Sequence, residues 1–324
     1  MNVVDLLGLP RLTGDLERVE IALQASLGSV DPFLAEVAGH LADAGGKRLR
    51  PALTVAAALA GSGEATDDVV LGGVSVELVH LGSLYHDDVM DEAEVRRNVV
   101  SVNARWGNLI AILAGDFLLA KASEIAASLG TEVAGLLAAT IGRLCEGQVG
   151  ELQTAFDIRR TEDAYLRSIA GKTASLMSSA CRIGAIVADL PRSQIDALTG
   201  FGHAFGMAFQ IRDDILDLIC TDEQLGKPSG QDLVEGTYSL PVIRALALPR
   251  VAAELAPMLG GPIGGPEREK AREIIRESGA VESALGEARR FADQAAEALA
   301  PLGEAPAARA LAESASGLVA TVAA

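Results

Sequence analysis

The chain has 324 residues, of which 49% are hydrophobic and only 3% are aromatic. This length can bury a large core, and an apolar composition with so few aromatic residues favours closely packed helices over sheets. The formal net charge of −17 argues against nucleic acid or an anionic membrane as a partner. An anionic substrate could therefore bind only where basic residues and metal ions reverse the local field.

The N-terminal residues lack the basic start and apolar core of a secretory signal peptide. Elsewhere, no run of about twenty apolar residues is free of charge, as a membrane span requires. Cys145, Cys181 and Cys220 stand apart and outside any CxxC pair, which is typical of thiols in a reducing compartment. We therefore predict a cytoplasmic protein without a membrane-spanning segment.

Hydrophobic periodicity predicts helices along nearly the whole chain and no strand of useful length. The predicted helices cover residues 51–61, about 67–94, 104–129, 131–157, 161–190 and 191–220. A polar loop with Gly and Pro follows at 226–232, and a second Gly/Pro-rich break lies at 260–266. We expect an all-α fold in a single domain over residues 1–324, in which residues 260–324 add shorter helices to the same bundle.

Two acidic motifs occur inside long apolar stretches, Asp87-Asp88-Val89-Met90-Asp91 and Asp213-Asp214-Ile215-Leu216-Asp217. At 3.6 residues per turn, the first and last Asp of each motif share a helix face. If the two helices face each other, six carboxylates crowd one cavity, and each pair about 5 Å apart repels by roughly 3 kcal/mol at a dielectric of about 20. Carboxylates without His or Cys suit Mg²⁺, which also takes substrate phosphates. One copy alone is usually a solvated helix face, but two copies with polar neighbours favour a metal site.

Two basic clusters could bind phosphate. Arg96 and Arg97 follow the first acidic motif and offer forked donors, although a salt-bridged surface pair is an equal alternative. Lys47, Arg48 and Arg50 lie between two glycines and a proline, on a turn that leads into a helix N-terminus. Backbone donors and the helix dipole favour an anion there, whereas the alternative is an ordinary basic loop.

Further polar residues interrupt apolar helices. Lys172 and Thr173 follow Gly171, and a Lys on an apolar face is costly unless it meets an anion. Gln210 precedes the second acidic motif on the same helix, and its alternative role is a core amide bonded to backbone.

The histidines suggest a different kind of metal site. His86 and Asp87 resemble the HD pair of metal-dependent phosphohydrolases. The remaining ligands would have to come from His40 or His203, and neither has a convincing setting. Hydrogen-bonded histidines on packed helices are therefore the favoured interpretation.

These motifs together resemble the trans-isoprenyl diphosphate synthases, the polyprenyl synthetase family, over about residues 20–320. The resemblance implies an all-α bundle around a deep central apolar cavity, usually in a homodimer. The motifs that carry it are Gly46-Lys47-Arg48-Leu49-Arg50-Pro51, His80, Asp87-Asp88-Val89-Met90-Asp91 with Arg96-Arg97, Gly171-Lys172-Thr173, Phe209-Gln210-Ile211-Arg212-Asp213-Asp214-Ile215-Leu216-Asp217 and Gly226-Lys227-Pro228.

The resemblance also implies roles for individual residues. The expected metal ligands are Asp87, Asp91 and Asp213, supported by Asp88, Asp214 and Asp217. The residues expected to bind the diphosphate of isopentenyl diphosphate are Lys47, Arg50, His80 and Arg97. The residues expected at the allylic diphosphate are Arg96, Lys172, Thr173, Gln210 and Lys227. Of these, Lys172, Thr173 and Gln210 are the expected catalytic residues, and Thr173 and Gln210 would stabilise the developing allylic cation.

The implied reaction is a 1′-4 trans condensation of an allylic diphosphate with isopentenyl diphosphate, dependent on Mg²⁺ with three ions per site. An apolar cavity would keep water from the carbocation, and the released diphosphate would accept the proton. The chain departs from the family at Thr237, where a Lys commonly follows Glu235-Gly236, and at its C-terminus, which lacks the basic tail of some short-chain members.

Product length is predicted from the positions five and four residues before Asp87, which are Gly82 and Ser83. Bulky residues there block the growing tail in short-chain relatives, whereas small residues leave the shaft open. We expect a C30–C50 product, with C20 as the alternative. Two competing functions are a class I terpene cyclase and a non-catalytic partner subunit, and an active chain of this type could still need a helper subunit.

Overall fold

A computed structural model of the chain describes residues 2–225 and 228–322. The all-α prediction is confirmed, because these residues form helices joined by short connections, with one hairpin of two-residue strands. In the first third of the chain the elements are α1 (Val3–Leu7), α2 (Leu12–Ser26), α3 (Pro32–Asp43), α4 (Leu49–Gly61), α5 (Asp67–Met90), β1 (Val95–Arg96), β2 (Val99–Val100) and α6 (Val102–Trp106).

The middle of the chain contains five helices, including the longest described one, of 28 residues. They are α7 (Asn108–Ser128), α8 (Thr131–Gln153), α9 (Glu162–Ile169), α10 (Ser175–Val187) and α11 (Arg192–Ile219). The helix predicted over 161–190 is thus divided, because a π-helical turn, Ala170–Ala174, separates α9 from α10. Thr161 caps α9 as predicted, since its side chain accepts a hydrogen bond from the Ala164 N–H.

The remaining helices have 4 to 19 residues. They are α12 (Asp222–Leu225), α13 (Gln231–Glu235), α14 (Leu240–Leu246), α15 (Pro249–Leu255), α16 (Gly265–Glu277), α17 (Ala280–Ala298) and α18 (Pro306–Ala320), with 3₁₀ turns at Ala256–Met258 and Ala300–Leu302. The predicted Gly/Pro-rich break at 260–266 accordingly covers the connection after that first 3₁₀ turn and the first two residues of α16.

Residue contacts divide the chain into two compact units, and the single-domain assignment stays a prediction. The first unit comprises residues 1–141, 176–202 and 299–311. Its centre is α5, which packs against α2, α4 and α7. Among the described helices, α5 has the length and apolar composition to cross a membrane, but 72% of its most apolar window is buried inside the protein. This burial is what a core helix requires.

The second unit comprises residues 142–175, 203–298 and 312–324. In it, α14 packs against α9, α15, α16 and α17. Arg244 on α14 joins these helices electrostatically, since it lies 2.6 Å from Glu162 and 3.7 Å from Glu287. The C-terminal helices α16 and α17 therefore share the core of this unit.

Candidate functional site

The first acidic motif forms the C-terminal end of α5. The Asp91 N–H donates to the carbonyl of Asp87 at 2.8 Å, which closes the last helical turn. Asp88 is completely buried, and its Oδ1 accepts from the Nε of Arg96 at 2.6 Å. Burial raises the pKa of Asp88, and the charge of Arg96 opposes that effect. Oδ2 of Asp88 is buried without a hydrogen-bond partner.

The two arginines that follow this motif lie in a tight hairpin, Arg96 at the end of β1 and Arg97 in the turn. Strands β1 and β2 pair antiparallel, and the turn residues Arg97 and Asn98 have φ values of 53° and 63°. Two successive left-handed residues are the signature of a two-residue hairpin turn. Arg97 donates to the carbonyl of Leu41 at 3.0 Å and also to the carbonyl of Gly45. The hairpin therefore brings Arg97 to the turn that carries the other basic cluster.

The three cations of the basic turn, at the start of α4, lie in different surroundings. Arg48 has a φ of 48° and is only 8% exposed, and its guanidinium donates to Glu20 at 2.8 Å and to Glu77 at 3.1 Å. It is thus held inside the protein by two carboxylates, and it was not among the residues expected to bind diphosphate. Lys47 is exposed and Arg50 is half-buried.

Glu77 is a residue of this region to which sequence reasoning gave no role. It is buried on α5, close to Arg48, Arg50 and Arg97. Burial raises the pKa of its carboxyl, and the three arginines oppose that shift. Its carboxylate balances part of the positive charge that the basic turn and the hairpin bring together.

His80 lies one turn along α5 from Glu77 and is half-buried. Burial and the neighbouring positive charges, first Arg50 and then Arg97, hold the pKa of His80 well below its usual value. The imidazole is therefore neutral at pH 7. For His86, the interpretation as a hydrogen-bonded side chain on a packed helix agrees with the structure, since its Nε2 lies 3.2 Å from the carbonyl of Ile112, within the α5–α7 contact.

The two positions expected to control product length differ in their surroundings. Gly82 is buried, and a Cβ built there would lie 3.0 Å from the carbonyl oxygen of Gly115 and 3.2 Å from Leu119 on α7. Its small size permits the close approach of α5 and α7. Ser83 is half-buried, and its hydroxyl donates to the carbonyl of His80 at 2.8 Å.

In the second unit, the π-helical turn carries Lys172 and Thr173. A Cβ on Gly171 would lie 2.7 Å from the carbonyl oxygen of Arg143 and 2.9 Å from the Cα of Gly147 on α8. The two backbones thus touch at a pair of glycines. π-helical turns are frequent at functional sites. Lys172 Nζ donates to Glu151 Oε1 at 2.6 Å, so α8 supplies a carboxylate that sequence reasoning missed.

A chain of hydrogen bonds, partly buried at Gln210 and buried at Tyr165, begins at Thr173. Its hydroxyl donates to Oε1 of Gln210 at 2.7 Å, and Nε2 of Gln210 donates to Oδ1 of Asp214 at 2.7 Å. The hydroxyl of Tyr165, on α9, donates to Oδ2 of Asp214 at 2.6 Å. Burial raises the pKa of Asp214 to about 7, although both hydrogen bonds oppose the shift. Tyr165 had no signal in the sequence beyond its place on a helix.

The other two acids of the second motif are held differently. Asp213 is more exposed, and its Oδ1 accepts from the neighbouring Arg212 at 3.0 Å. Asp217 is buried, and its Oδ2 accepts from the backbone N–H of Asp232 at 3.4 Å. Lys227, expected at the allylic diphosphate, lies outside the described residues.

Within residues 2–225 and 228–322, no three acidic, His or Cys side chains are grouped closely enough to hold a metal ion by themselves. A Mg²⁺ site built from one or two carboxylates and substrate phosphates needs no such group. The carboxylate oxygens of both motifs are the hard donors that such a site uses.

Comparison with known proteins identifies the family. The sequence pattern of the family described as polyprenyl synthetase matches residues 31–277. A nonaprenyl diphosphate synthase of Mycobacterium tuberculosis is 39% identical over 297 residues, which cover 91% of this chain and 89% of that protein. The chain belongs to the polyprenyl synthetase family. It is therefore an enzyme of the trans-prenyltransferase class, as predicted, and the substrates of this class are isoprenyl diphosphates.

Two further members of the polyprenyl synthetase family are informative. Heptaprenyl diphosphate synthase component 2 of Geobacillus stearothermophilus is 39% identical over 290 residues, and the match covers 88% of each chain. The crystal structure of a polyprenyl synthase from Caulobacter crescentus, complexed with calcium and isoprenyl diphosphate, matches with a TM-score of 0.91 at 35% identity, covering 98% of this chain and 97% of that one. The isoprenoid synthase fold predicted from the motifs is thereby confirmed.

Proposed function

We propose that this protein is a Mg²⁺-dependent synthase that condenses an allylic diphosphate with isopentenyl diphosphate to give a C30–C50 polyprenyl diphosphate. The observation that carries the proposal is the partly buried hydrogen-bond chain from Thr173 through Gln210 to Asp214. It fixes polar oxygens one helical turn from an aspartate-rich motif. Oxygen atoms that face an allylic cation beside a diphosphate-binding motif are what this ionisation requires.

The diphosphate of isopentenyl diphosphate is assigned to Lys47, Arg50, His80 and Arg97. Two contacts support this assignment: Arg97 donates to the carbonyls of Leu41 and Gly45, next to the basic turn, and Glu77 lies among the arginines. Because Glu77 offsets only part of this positive charge, an anion is still attracted. The neutral imidazole of His80 can donate one hydrogen bond to a phosphate oxygen without adding charge.

The metal ligands are assigned to Asp87, Asp91 and Asp213, with Asp88 and Asp217 in support. The donor set fits Mg²⁺, since it consists of carboxylate oxygens and includes the unpartnered Oδ2 of Asp88. Bound Mg²⁺, three ions per site in this proposal, would stabilise the negative charge that develops on the departing diphosphate.

The chain's own residues would then act in a defined order. Arg96 and Lys172 bind oxygens of the allylic diphosphate, and the side chains of Asp88 and Glu151 orient them. Thr173 and Gln210 present oxygen atoms to the allylic cation that forms as the C–O bond breaks. The double bond of isopentenyl diphosphate attacks this cation, and the released diphosphate accepts the proton that is lost. Lys227 is assigned to the same diphosphate by motif alone.

A long product is favoured over C20 because the compared relatives are named for nonaprenyl and heptaprenyl products. Self-association is supported by apolar side chains exposed on α7, where Leu109 is 70% and Leu113 is 53% exposed. We therefore assign a homodimer, with a cytoplasmic location. The relative named component 2 makes a helper subunit a second arrangement to test.

The proposal is tested by incubating the purified protein with farnesyl diphosphate, isopentenyl diphosphate and Mg²⁺, and then measuring products by mass. We expect polyprenyl diphosphates of C30–C50 and a loss of activity of at least about 100-fold when Mg²⁺ is chelated. Hydrocarbon formed from farnesyl diphosphate alone would identify a terpene cyclase instead. Size-exclusion chromatography with light scattering distinguishes a homodimer from a monomer that needs a helper chain.

The assignment of both acidic motifs to the allylic diphosphate has its own test. Asp87→Asn and Asp213→Asn should each raise the Mg²⁺ concentration needed for half-maximal rate and the KM for farnesyl diphosphate. The KM for isopentenyl diphosphate should change by less than about threefold. A variant that raises only the KM for isopentenyl diphosphate contradicts the assignment of its motif to the allylic diphosphate.

A further inference from the structure

The hydrogen-bond chain in the second unit ends at Tyr165, a residue to which the proposed reaction gives no role. Tyr165 is 2% exposed and lies on α9, eight residues before Thr173 along the chain. Its hydroxyl does not lie beside Thr173 but beside the far oxygen of Asp214, at 2.6 Å. A buried phenol is costly unless its hydroxyl is bonded, so this contact holds the ring and the carboxylate together.

The direction of each hydrogen bond in this chain follows from the one before it. The Tyr165 hydroxyl donates to Oδ2 of Asp214, so the carboxyl group serves as an acceptor. In the ionised form of Asp214 both oxygens accept, so Oδ1 accepts from Gln210, and the atom of Gln210 that faces it is the amide nitrogen. The amide oxygen of Gln210 is consequently at the other end, where Thr173 donates to it at 2.7 Å.

The order of donors and acceptors along this chain determines which partial charge Thr173 and Gln210 present to the substrate. A hydroxyl that donates its proton keeps two lone pairs on its oxygen, and an amide oxygen that accepts one hydrogen bond keeps a second lone pair. Thr173 and Gln210 thus present negative dipole ends. If the amide of Gln210 were reversed, its NH₂ group would present a positive end to a carbocation, which would oppose ionisation.

We propose that Tyr165 is a positioning residue that fixes the amide orientation of Gln210 through Asp214, so that oxygen atoms face the allylic cation. This inference rests on the proposed function and adds a residue to it. Tyr165 itself does not touch the substrate.

The ring of Tyr165 is enclosed, and a buried arginine borders it. The Arg160 guanidinium lies 5.7 Å from the centre of the Tyr165 ring, and Arg160 is also buried. Nη1 of Arg160 donates to the carbonyl of Tyr238 at 3.1 Å, which fixes it to the backbone after α13. With the ring enclosed and only 2% exposed, removal of its hydroxyl leaves Oδ2 of Asp214 without access to bulk water.

Tyr165→Phe removes the single oxygen atom and tests the inference. With farnesyl diphosphate, isopentenyl diphosphate and Mg²⁺, we expect kcat to fall by about 10- to 100-fold, less than the loss of a direct transition-state donor. Both KM values should stay within about threefold of the wild type, because the diphosphate-binding groups are unchanged.

Tyr238→Phe is the matched control. Tyr238 is a buried tyrosine of the same unit, and its hydroxyl accepts from the Gly260 N–H at 2.7 Å, outside the chain of Thr173 and Gln210. We expect it to lower the melting temperature about as much as Tyr165→Phe does, while its kcat stays within about twofold of the wild type. A kcat loss equal to that of Tyr165→Phe would show that any buried hydroxyl has this effect and would overturn the inference.

A second background separates positioning from general stability. In Gln210→Leu no amide remains to be oriented, so adding Tyr165→Phe should lower kcat by less than about threefold. An equal loss of kcat in both backgrounds would overturn the inference, as would a Tyr165→Phe enzyme with unchanged kcat. If the wild-type protein itself forms no polyprenyl diphosphate, the proposed function fails instead, so the two failures are distinguishable.

Discussion

Replacement of Ser83 by Phe should shorten the product while the rest of the site is retained. Ser83 precedes Asp87 by four residues, which is about 6 Å along a helix. A C30–C50 product has six to ten isoprene units, and at about one helical turn of 5.4 Å per unit it needs a shaft of roughly 30–50 Å. A phenyl ring one turn from the carboxylates therefore limits growth to C20 or shorter. Reversed-phase separation of the dephosphorylated products measures the change.

The neighbouring position provides the contrast. Gly82 approaches Gly115 and Leu119 so closely that a Phe there must push α7 away from α5, a form of overpacking that costs about 1–3 kcal/mol or more. We expect Gly82→Phe to lower the melting temperature, whereas Ser83→Phe and its control Ser83→Ala keep it near that of the wild type. A folded Ser83→Phe enzyme with an unchanged product distribution would refute the shaft interpretation.

Two further predictions concern stability. Gly171→Ala places a methyl group against the Arg143 carbonyl of α8 and should destabilise the protein by about 1–3 kcal/mol, with loss of activity. Gly142→Ala is the control, because Gly142 lies on α8 with open space around it, and it should stabilise the protein by about 0.5–1 kcal/mol. Chemical denaturation of both variants distinguishes a close backbone contact from a general effect of glycine. For pH, the depressed pKa of His80 means that the unfolded chain takes up a proton below about 6.5 while the folded protein does not. Stability without substrate should therefore fall as the pH drops below about 6.5, and this part of the fall should be absent in melting curves of His80→Gln.

The candidate site residues that the sequence predicted share one property: their residue types and their spacing along a short segment are enough to suggest a role. Asp87 and Asp91 are one helical turn apart, and their contribution needs no knowledge of distant contacts. The starts of α5 and α9 were predicted for the same reason, since periodicity and the Thr161 cap are local signals, whereas the end of α9 was not predicted.

The residues that the sequence did not reveal depend on contacts between distant segments. Glu151 meets Lys172 across 21 positions, and Tyr165 meets Asp214 across 49. The division between Arg48 and Arg50 likewise follows from the left-handed backbone at Arg48, which directs its guanidinium to Glu20 and Glu77. The sequence showed an interruption of the apolar pattern at Gly171 but not the π-helical turn itself, because the close backbone contact with α8 is visible only in the structure.

Helix α5 has 24 residues, so it is a rod about 36 Å long with its acidic motif at one end. The same helix would line the shaft in which the product grows, and it packs against α2, α4 and α7. A larger side chain at a closely packed position of α5, such as Gly82, would therefore also displace the carboxylates at the end of the helix. Evolution toward a different product size would lower the catalytic rate if it changed such a position, and would avoid that loss by changing a half-buried position such as Ser83 or the side chains of α7.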